Sequence, residues 1–464
     1  MENILTTTLR RAKSFLILAL VALALYQAGR LWFIHLANRN FFEYVSARFV
    51  PSVPERGWEF VRPMRVVSGS GDGVFAMRYD GLMDVPFRTY FDTVMTEMFA
   101  NGRFVSEAET DYRRVLSRPV LIYEYAFYMP GDVFPLGFNQ RTTGFLTGRG
   151  VLEFNSVAIW PWVDGQDARV FFINNDRTWE FVLDAAREQL VFPIHPVPSS
   201  SIHFVSSILE GYEFLPPGSF VARSGDIGFS YFPVIVTNPY RPHIGGSLEH
   251  IRNQVSHFFD NPATINHRVA GDGVWTVSNI HTVVRYFGTD VLEYSSFRPR
   301  RRNITTSFLD DFSAAWAFIL NDPHVIDENE VFLTGFEARG TGYVFWFGYI
   351  IDNFPILMPD NWEVSSPEDI LPAPIEVVVE QGRVVQYRRL AHNFRLSDVH
   401  SWLDLDLDNF IEGAAGPLVG LSLGYHMSPW DSSLRLGWMG WYAEAYEDGL
   451  ETEAYEGYLE PENP

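Results

Sequence analysis

The sequence predicts an α+β fold, in which a single amino-terminal transmembrane helix precedes a three-domain extracytoplasmic body of helix-plus-antiparallel-sheet units. The chain has 464 residues, which is more than one ordinary hydrophobic core accommodates. An apolar run follows a basic start, and the remainder alternates helical patterns with runs of β-branched and aromatic residues. A content of 47% hydrophobic residues is typical of globular domains.

The charge and the cysteine content exclude several classes of function. A net charge of -22 leaves no surplus of Lys and Arg to follow a phosphate backbone, so we expect no nucleic-acid partner. The chain has no cysteine, which excludes disulfides, thiolate metal ligands and cysteine nucleophiles. We therefore expect a fold that is held by core packing, with no cofactor and no metal.

Residues 14–36 are predicted to form the membrane helix, because the apolar run reaches roughly 20 residues, the length that spans a bilayer. Arg10, Arg11 and Lys13 precede the run. By the positive-inside rule, residues 1–13 are cytoplasmic and the body lies outside the cell membrane. A cleavable signal peptide shares these features, but no small-residue cleavage site follows the apolar core, so we expect the anchor to be retained.

One stripe of this helix is predicted to contact a partner helix in the membrane. Two alanines four residues apart let two backbones approach closely, and a polar amide in lipid gains from a partner. The stripe consists of Leu20, Ala24, Gln27, Ala28 and Leu31. The alternative interpretation is that alanine is simply common in membrane helices.

Changes in composition divide the remainder of the chain. Residues 37–63 contain several prolines and are predicted to form a stalk and linker. The predicted α+β domains are 64–196, 218–297 and 303–425. The last segment, 441–464, is rich in Glu without a basic residue, which is typical of a solvated, disordered tail.

Hydrophobic periodicity predicts three helices, at Pro86–Asn101, Ser247–Phe259 and Phe308–Leu320. The second and third end in similar Asn/Asp-Pro turns, and strands follow each of them. This pattern indicates an internal duplication, and a coincidental turn motif is the alternative. A β-hairpin is predicted from Ile375–Glu380 and Arg383–Arg389, which flank a Gln-Gly turn.

Two patterns resemble reactive or metal-binding motifs but lack the residues that complete them. The glycines around Ser422 match a nucleophile elbow, yet His426 precedes Asp431 and no histidine follows, so the order of a catalytic triad fails. The carboxylates of Asp404–Asp408 alternate as in a calcium loop, but Asn409 stands where the loop needs glycine. We expect no catalytic residue, no metal site and no enzyme activity.

Histidines and aromatic residues of the body receive structural interpretations. His250 and His257 lie seven residues apart on one predicted helix, far from metal-ligand spacing, and surface positions are expected for both. Trp346, Phe347 and Tyr349 fall in a predicted strand and are assigned to the core in preference to a ligand platform.

One basic run interrupts the acidic body. It consists of Arg298, Arg300, Arg301 and Arg302. Such a run is usually a solvated loop between domains. The alternative is a contact with an acidic protein partner or a cell-wall polymer, because a guanidinium pairs bidentately with carboxylate or phosphate.

Several phrases of the sequence, taken with the anchor, resemble the YycH family of accessory regulators of the WalK/WalR (YycG/YycF) two-component system in low-GC Gram-positive bacteria. The phrases are Phe154 to Asp184, Val283 to Tyr294, Tyr349 to Met358 and Ile375 to Asn393. The resemblance extends over most of the chain, from the anchor to Phe394. None of the phrases is a catalytic signature.

The resemblance implies modulation of a sensor histidine kinase of WalK type, together with a YycI-like partner protein. The kinase contact of the family is attributed largely to its membrane helix, which by position in the anchor corresponds to the stripe described above. The expected function is that of a non-enzymatic, membrane-anchored regulator in a two-component system that controls cell-wall metabolism. The alternative is an anchored extracytoplasmic binding module for a cell-wall component or peptide.

Overall fold

The structure is a computed structural model that describes residues 58–78, 85–138, 144–163, 166–183, 191, 203–212, 215, 218–222, 229–241, 248–261, 264–270, 273–299, 306–326, 330–358, 362–366, 369–403, 418–427, 433–443 and 454–456. These residues form a mixed α+β fold of mostly antiparallel sheets with few helices, which confirms that part of the predicted fold class. They belong to one compact unit, Arg56–Pro464.

The helices are short in this part of the chain, with two exceptions. They are α1 (Trp58–Val61), α2 (Val85–Asn101), α3 (Tyr112–Val115), α4 (Gly144–Thr147), α5 (Ser207–Glu210), α6 (Leu248–Gln254), α7 (Phe308–Leu320) and α8 (Pro323–Ile326). Two 3-10 turns are formed by Phe134–Phe138 and Ser256–Phe258.

The strands account for most of the regular structure. They are β1 (Arg65–Gly69), β2 (Val74–Arg78), β3 (Arg103–Glu109), β4 (Val120–Pro130), β5 (Glu153–Trp160), β6 (Arg169–Ile173), β7 (Arg177–Val182), β8 (Phe204–Ser206), β9 (Phe220–Ala222), β10 (Phe229–Tyr231), β11 (Val234–Thr237), β12 (Asn266–Val269), β13 (Trp275–Ser278), β14 (Thr282–Tyr286), β15 (Val291–Ser296), β16 (Glu330–Arg339), β17 (Gly342–Ile351), β18 (Phe354–Leu357), β19 (Trp362–Glu363), β20 (Ile370–Leu371), β21 (Ile375–Glu380), β22 (Arg383–Leu390), β23 (Asn393–Leu396), β24 (Ser401–Leu403), β25 (Leu418–His426), β26 (Ser433–Leu434), β27 (Leu436–Ala443) and β28 (Ala454–Glu456).

The first sheet has nine strands in the order β3-β7-β6-β5-β4-β1-β2-β8-β9. Helix α2 contributes buried apolar residues to the core beside this sheet. The ring of Phe91 on α2 lies 4.1 Å from that of Tyr123 on β4, and both side chains are buried. The spacing of apolar residues that predicts this helix therefore matches the face that it buries.

The second sheet has twelve strands, in the order β12-β13-β14-β15-β22-β21-β17-β18-β25-β27-β28, with β16 paired to β17. Strand β15 pairs with β22, so the predicted segments 218–297 and 303–425 contribute to one hydrogen-bonded sheet. Strands β18 and β25 run parallel, and the other described pairs of this sheet are antiparallel. Smaller sheets pair β10 with β24, β11 with β23 and β26, and β19 with β20.

Helix α7 covers one side of the second sheet. Ser307 caps its amino terminus and forms a capping box with Asp310, which fixes where the helix begins. Phe312 lies 5.6 Å from Phe345 of β17 between ring centroids. We call the side of the sheet that α7 covers the helix face. The opposite side is called the open face.

Side chains of the second sheet divide between these faces, because directly opposed residues of an antiparallel pair point to the same side. Tyr294 is paired with Tyr387, and both rings lie against Phe318 of α7, so they belong to the helix face. The neighbouring pair, Glu293 and Arg388, points to the open face.

Helix α1 joins the start of the described chain to both sheets. Phe60 is fully buried and its ring lies 4.8 Å from that of Phe308 and 6.3 Å from that of Phe336. The next residue, Val61, is packed so closely on Gly137 that a side chain at Gly137 would overlap it. The end of the segment predicted as a stalk is therefore part of the packed core.

No helix among the described residues has the length and apolarity that crossing a membrane requires. The predicted cytoplasmic segment 1–13, the membrane helix 14–36 and most of the stalk lie outside the described residues. These features stay predictions, as do the boundaries of the three predicted domains.

Candidate functional site

A buried ion pair lies at the centre of the helix face of the second sheet. Arg389 on β22 and Asp322, just after α7, are both 0% exposed. The Nε atom of Arg389 lies 2.9 Å from Oδ2 of Asp322. Burying two charges costs free energy unless each is paired and hydrogen-bonded, so the stability of the fold depends on this pairing.

Tyrosines surround the pair and form two of its hydrogen bonds. The hydroxyl of Tyr387 donates to Oδ2 of Asp322 at 3.0 Å, and Nη2 of Arg389 donates to the hydroxyl of Tyr240 at 2.9 Å. Nη1 of Arg389 donates to the carbonyl oxygen of Leu390 at 2.9 Å. The guanidinium carbon also lies 5.3 Å from the centroid of the Tyr240 ring, within the range of a cation–π contact.

Both charges of the pair persist in the folded protein. Burial is the largest single influence and favours the neutral form of Asp322, but the Arg389 charge, the neighbouring histidines and the backbone N–H of His324 together outweigh it, so the pKa of the carboxyl group lies below its usual value. Burial is also the largest single influence on Arg389 and lowers its pKa, but the Asp322 carboxylate and the neighbouring tyrosines together reverse this and hold the pKa well above its usual value. Burial raises the pKa of the nearby Tyr349 hydroxyl to about 12.

His257 borders the same carboxylate. Its Nε2 atom lies 3.7 Å from Oδ1 of Asp322. Burial, with the neighbouring charges of His324 and Arg389, lowers the pKa of His257 to about 4 although Asp322 opposes the shift. The expectation of a surface position is wrong for His257, because the chain turns into a 3-10 helix there and directs the ring inward against Phe258.

The neutral state of His257 predicts a pH dependence of stability. The unfolded chain binds a proton near the ordinary pKa of 6.5, whereas the folded protein binds it near a pKa of about 4. Between these values the unfolded state binds more protons, so stability is complete above the first value and falls as the pH drops towards the second. The full difference corresponds to roughly 3 kcal/mol.

We expect His257→Gln to abolish the part of the acid-induced loss of stability that is due to protonation of His257. Urea denaturation at neutral pH and near the lower pKa, followed by tryptophan fluorescence, measures it in both proteins. His267→Gln serves as the control, because His267 is exposed on β12. Equal losses of stability in wild type and in the His257 variant would contradict the assignment.

A second acidic residue organises the turn between β14 and β15. Asp290 adopts a left-handed backbone conformation with φ of 60°, which is uncommon for a residue with a side chain. The hydroxyl of Tyr286 donates to its Oδ1 atom at 2.6 Å, Nε of Arg241 donates at 3.2 Å, and Nε2 of His392 lies 3.3 Å from Oδ2. Burial opposes ionisation, but these three groups lower the pKa of Asp290 to about 2.

The two acidic centres form one network. Tyr240, which accepts from Arg389, stacks on Tyr286 with ring centroids 6.0 Å apart. The Nδ2 atom of Asn238 donates to the hydroxyl of Tyr286 at 3.1 Å. A chain of polar and aromatic contacts thus extends from His257 through the ion pair to the Asp290 turn, and it ties the loop after β11 to strands β14 and β22. We call it the buried polar network.

The open face of the same sheet carries a row of paired charges. Nη1 of Arg285 donates to Glu293 at 2.6 Å, and Nε of Arg388 donates to Glu376 at 2.8 Å. Nε1 of Trp346 donates to the other oxygen of Glu376 at 3.1 Å. The strand register places these five residues in one row across β14, β15, β22, β21 and β17. We call this row the charge ladder.

Of the predicted site residues, the structure describes Arg298 alone. The membrane stripe Leu20, Ala24, Gln27, Ala28 and Leu31 lies outside the described residues, as do Arg300, Arg301 and Arg302. Arg298 is described, and its partly exposed guanidinium pairs with Asp260. Its contact with an acidic partner stays a prediction.

The structure describes the motif around Ser422 but not the Asp404–Asp408 motif. Ser422 lies inside β25, where it is paired with Met439 of β27, so the strained strand-to-helix turn of a nucleophile elbow is not formed there. The Asp404–Asp408 segment lies outside the described residues. Within the described ranges, no three His, Asp or Glu residues come together in a way that suits a metal ion.

The buried polar network was not found from the sequence. Two of its members do lie in features described there: Asp322 is in the Asn/Asp-Pro turn that follows the predicted helix Phe308–Leu320, and Arg389 ends the predicted hairpin. Nothing in the local sequence separates Arg389 from Arg383 and Arg388 of the same strand, although a fully buried arginine is expensive unless it is paired. Its partner was not apparent, because the two residues are far apart in the sequence.

Comparisons with known proteins identify no family. No protein-family model matches the chain, and no curated protein matches it. Among solved structures, an uncharacterized protein from Eubacterium rectale is similar, with 9% sequence identity and a TM-score of 0.28, over 49% of this chain and 82% of that chain. A TM-score this low carries no argument about fold or function. The resemblance to the YycH proteins stays a prediction from the sequence.

Proposed function

We propose that this chain is a non-enzymatic, membrane-anchored regulator of a sensor histidine kinase of WalK type. In this proposal it acts with a YycI-like partner protein in a two-component system that controls cell-wall metabolism. The resemblance to the YycH family supports the role in kinase regulation, and the basic cluster of Arg10, Arg11 and Lys13 directly before the apolar run supports the membrane anchor. This order anchors the chain in the cell membrane with its body on the extracytoplasmic side.

The arrangement of charge in the described body supports a role in protein contact. The charges of the buried polar network are used to hold strands and loops together, and Arg389 and Asp322 are inaccessible to solvent. The charge ladder is likewise internally paired. In this proposal exposed surfaces of the body contact the partner, whereas the ionisable groups of the buried pair, whose pKa values are shifted, stabilise the fold.

Regulation in this proposal follows from differential binding. A regulator changes the equilibrium between two signalling states of a kinase only if it contacts those states with different free energies. The membrane stripe supplies such a contact within the bilayer, where small residues allow close packing and Gln27 offers a polar group. The extracytoplasmic body supplies the second contact.

The membrane contact is tested by substitutions on the stripe. Ala24→Ile pushes the partner backbone away, and Gln27→Leu removes a polar contact worth about 0.6 to 2 kcal/mol in a membrane, so each should weaken kinase association several-fold. Leu18→Ile and Leu25→Ile, which lie off the stripe, should leave it unchanged. Crosslinking to the co-resident sensor kinase measures the effect. Equal effects at stripe and control positions would mean that the helix is only an anchor.

A second candidate function is an anchored binding module for a cell-wall component. The observation that favours it is the half-exposed indole of Trp346, which lies at the end of the charge ladder on the open face. Co-purification from membranes separates the two functions. A histidine kinase recovered with the intact chain supports the regulator, whereas a polymer retained by the body supports the binding module.

A further inference from the structure

Strand β12 forms an exposed edge of the second sheet. It pairs with β13 on one side, and no described strand pairs with its other side. All four of its residues, Asn266–Val269, are exposed. A sheet edge of this kind presents unpaired backbone donors and acceptors, which natural proteins normally cover or protect.

The hydrogen-bond pattern shows which backbone groups of β12 are free. The backbone N–H of Ala270 donates to the carbonyl oxygen of Val274 at 2.9 Å, so this pair is of the hydrogen-bonded kind. Bonded and non-bonded pairs alternate along an antiparallel ladder. Arg268 therefore bonds inward to β13, whereas His267 and Val269 direct their N–H and C=O groups away from the sheet.

The side chains at this edge favour an acidic partner. Arg268 lies on the open face, in line with Thr276 and Arg285 of the adjacent strands, and it makes no ion pair with any described residue. It thus extends the row of the charge ladder to the sheet edge as a positive charge without a counter-charge among the residues that the structure describes. A carboxylate on an added strand, directly opposite Arg268, would complete the row.

Two exposed apolar residues lie near the end of the sheet at which β12 begins. Ile280 is 87% exposed in the turn between β13 and β14, and Phe297 is 63% exposed just after β15. The backbone N–H of Phe297 donates to the carbonyl oxygen of His281 at 2.8 Å, which holds Phe297 beside that turn. In the sequence, Phe297 directly precedes the basic run, in a chain whose net charge is -22.

We propose that the outer edge of β12 binds an extended acidic segment of a partner protein as an added β-strand, with a carboxylate opposite Arg268. Main-chain bonds to His267 and Val269 provide affinity, and the charge provides specificity. Pairing with a second copy of this chain is disfavoured in the antiparallel register that uses both His267 and Val269 of each strand, because that register places the two Arg268 side chains opposite each other. This inference rests on the proposed function in one respect: it takes the partner to be a protein.

The test uses the full-length chain in lipid nanodiscs and a short labelled peptide that alternates glutamate with valine, and fluorescence anisotropy measures binding. Val269→Pro removes one outward N–H without touching the bonds to β13 and should weaken binding by at least about tenfold. Val269→Ala is the matched control, which loses side-chain atoms but keeps the donor, and should remain within about twofold. An unchanged unfolding midpoint verifies that the proline variant is folded.

Arg268→Glu tests the charge. This variant should bind the glutamate peptide at least about tenfold more weakly and should prefer a peptide that alternates lysine with valine. Failure of the wild-type chain to bind the glutamate peptide, or binding that Val269→Pro leaves unchanged, would overturn the proposal. Kinase crosslinking of the same variants separates the two proposals: loss of peptide binding with kinase association intact supports the edge site and leaves the membrane contact standing.

Discussion

Replacement of Asp322 by alanine should lower the free energy of unfolding by about 3–5 kcal/mol. The substitution leaves the Arg389 guanidinium fully buried without its counter-charge, and it also removes the acceptor of the Tyr387 hydroxyl. Arg389 cannot escape the cost by losing its proton, because arginine stays protonated in proteins. Urea denaturation of the full-length chain at neutral pH, followed by tryptophan fluorescence, measures the change.

Two further variants separate the effect of an uncompensated charge from a general loss of contacts. In the double variant Asp322→Leu/Arg389→Met both charges are absent, and the loss should be smaller than for Asp322→Ala because apolar residues of similar volume replace the pair. Asp260→Ala breaks the partly exposed pair with Arg298 and should cost at most about 1 kcal/mol. A cost for Asp322→Ala no greater than that for Asp260→Ala would show that the buried pair does not organise this face.

The predicted helix Phe308–Leu320 has the same bounds in the structure, because its signals are local. Ser307 supplies the cap, and apolar residues recur at helical spacing. A Pro follows shortly after the last turn and prevents the helix from continuing. The predicted helix Ser247–Phe259 is broken into α6 and a 3-10 turn, since packing of the ring of Phe258 against Tyr294 overrides helical propensity.

The hairpin of β21 and β22 was also predictable, since its strands are adjacent in the sequence and alternate in character. The pairing of β15 with β22 was not predictable from the sequence. It joins segments that are distant in the chain, and only this register puts Tyr387 beside Tyr294 and brings Arg389 to the same face. The local sequence contains no signal for such a pairing, so the buried polar network and the charge ladder that depend on it were missed.

Phe60→Ala should lower the free energy of unfolding by about 3–5 kcal/mol, the usual cost of removing a buried phenylalanine ring. Phe60 is 0% exposed and lies edge-on to Phe308, Phe312 and Phe336, which belong to α7 and β16. The cavity would open between α1 and the second sheet, and well-packed surroundings of this kind collapse only partly. Thermal and urea unfolding of the full-length chain measure the loss.

Phe297→Ala is the matched control, because that ring is 63% exposed and its removal should change stability by at most about 0.5 kcal/mol. The comparison also bears on regulation. If the predicted membrane helix influences the body through the chain, its effect passes through residues 37–63, and among the described residues of that segment α1 is packed in the core. A Phe60 variant as stable as the Phe297 variant would mean that α1 is loosely held, and that the anchor and the second sheet are not mechanically connected at this point.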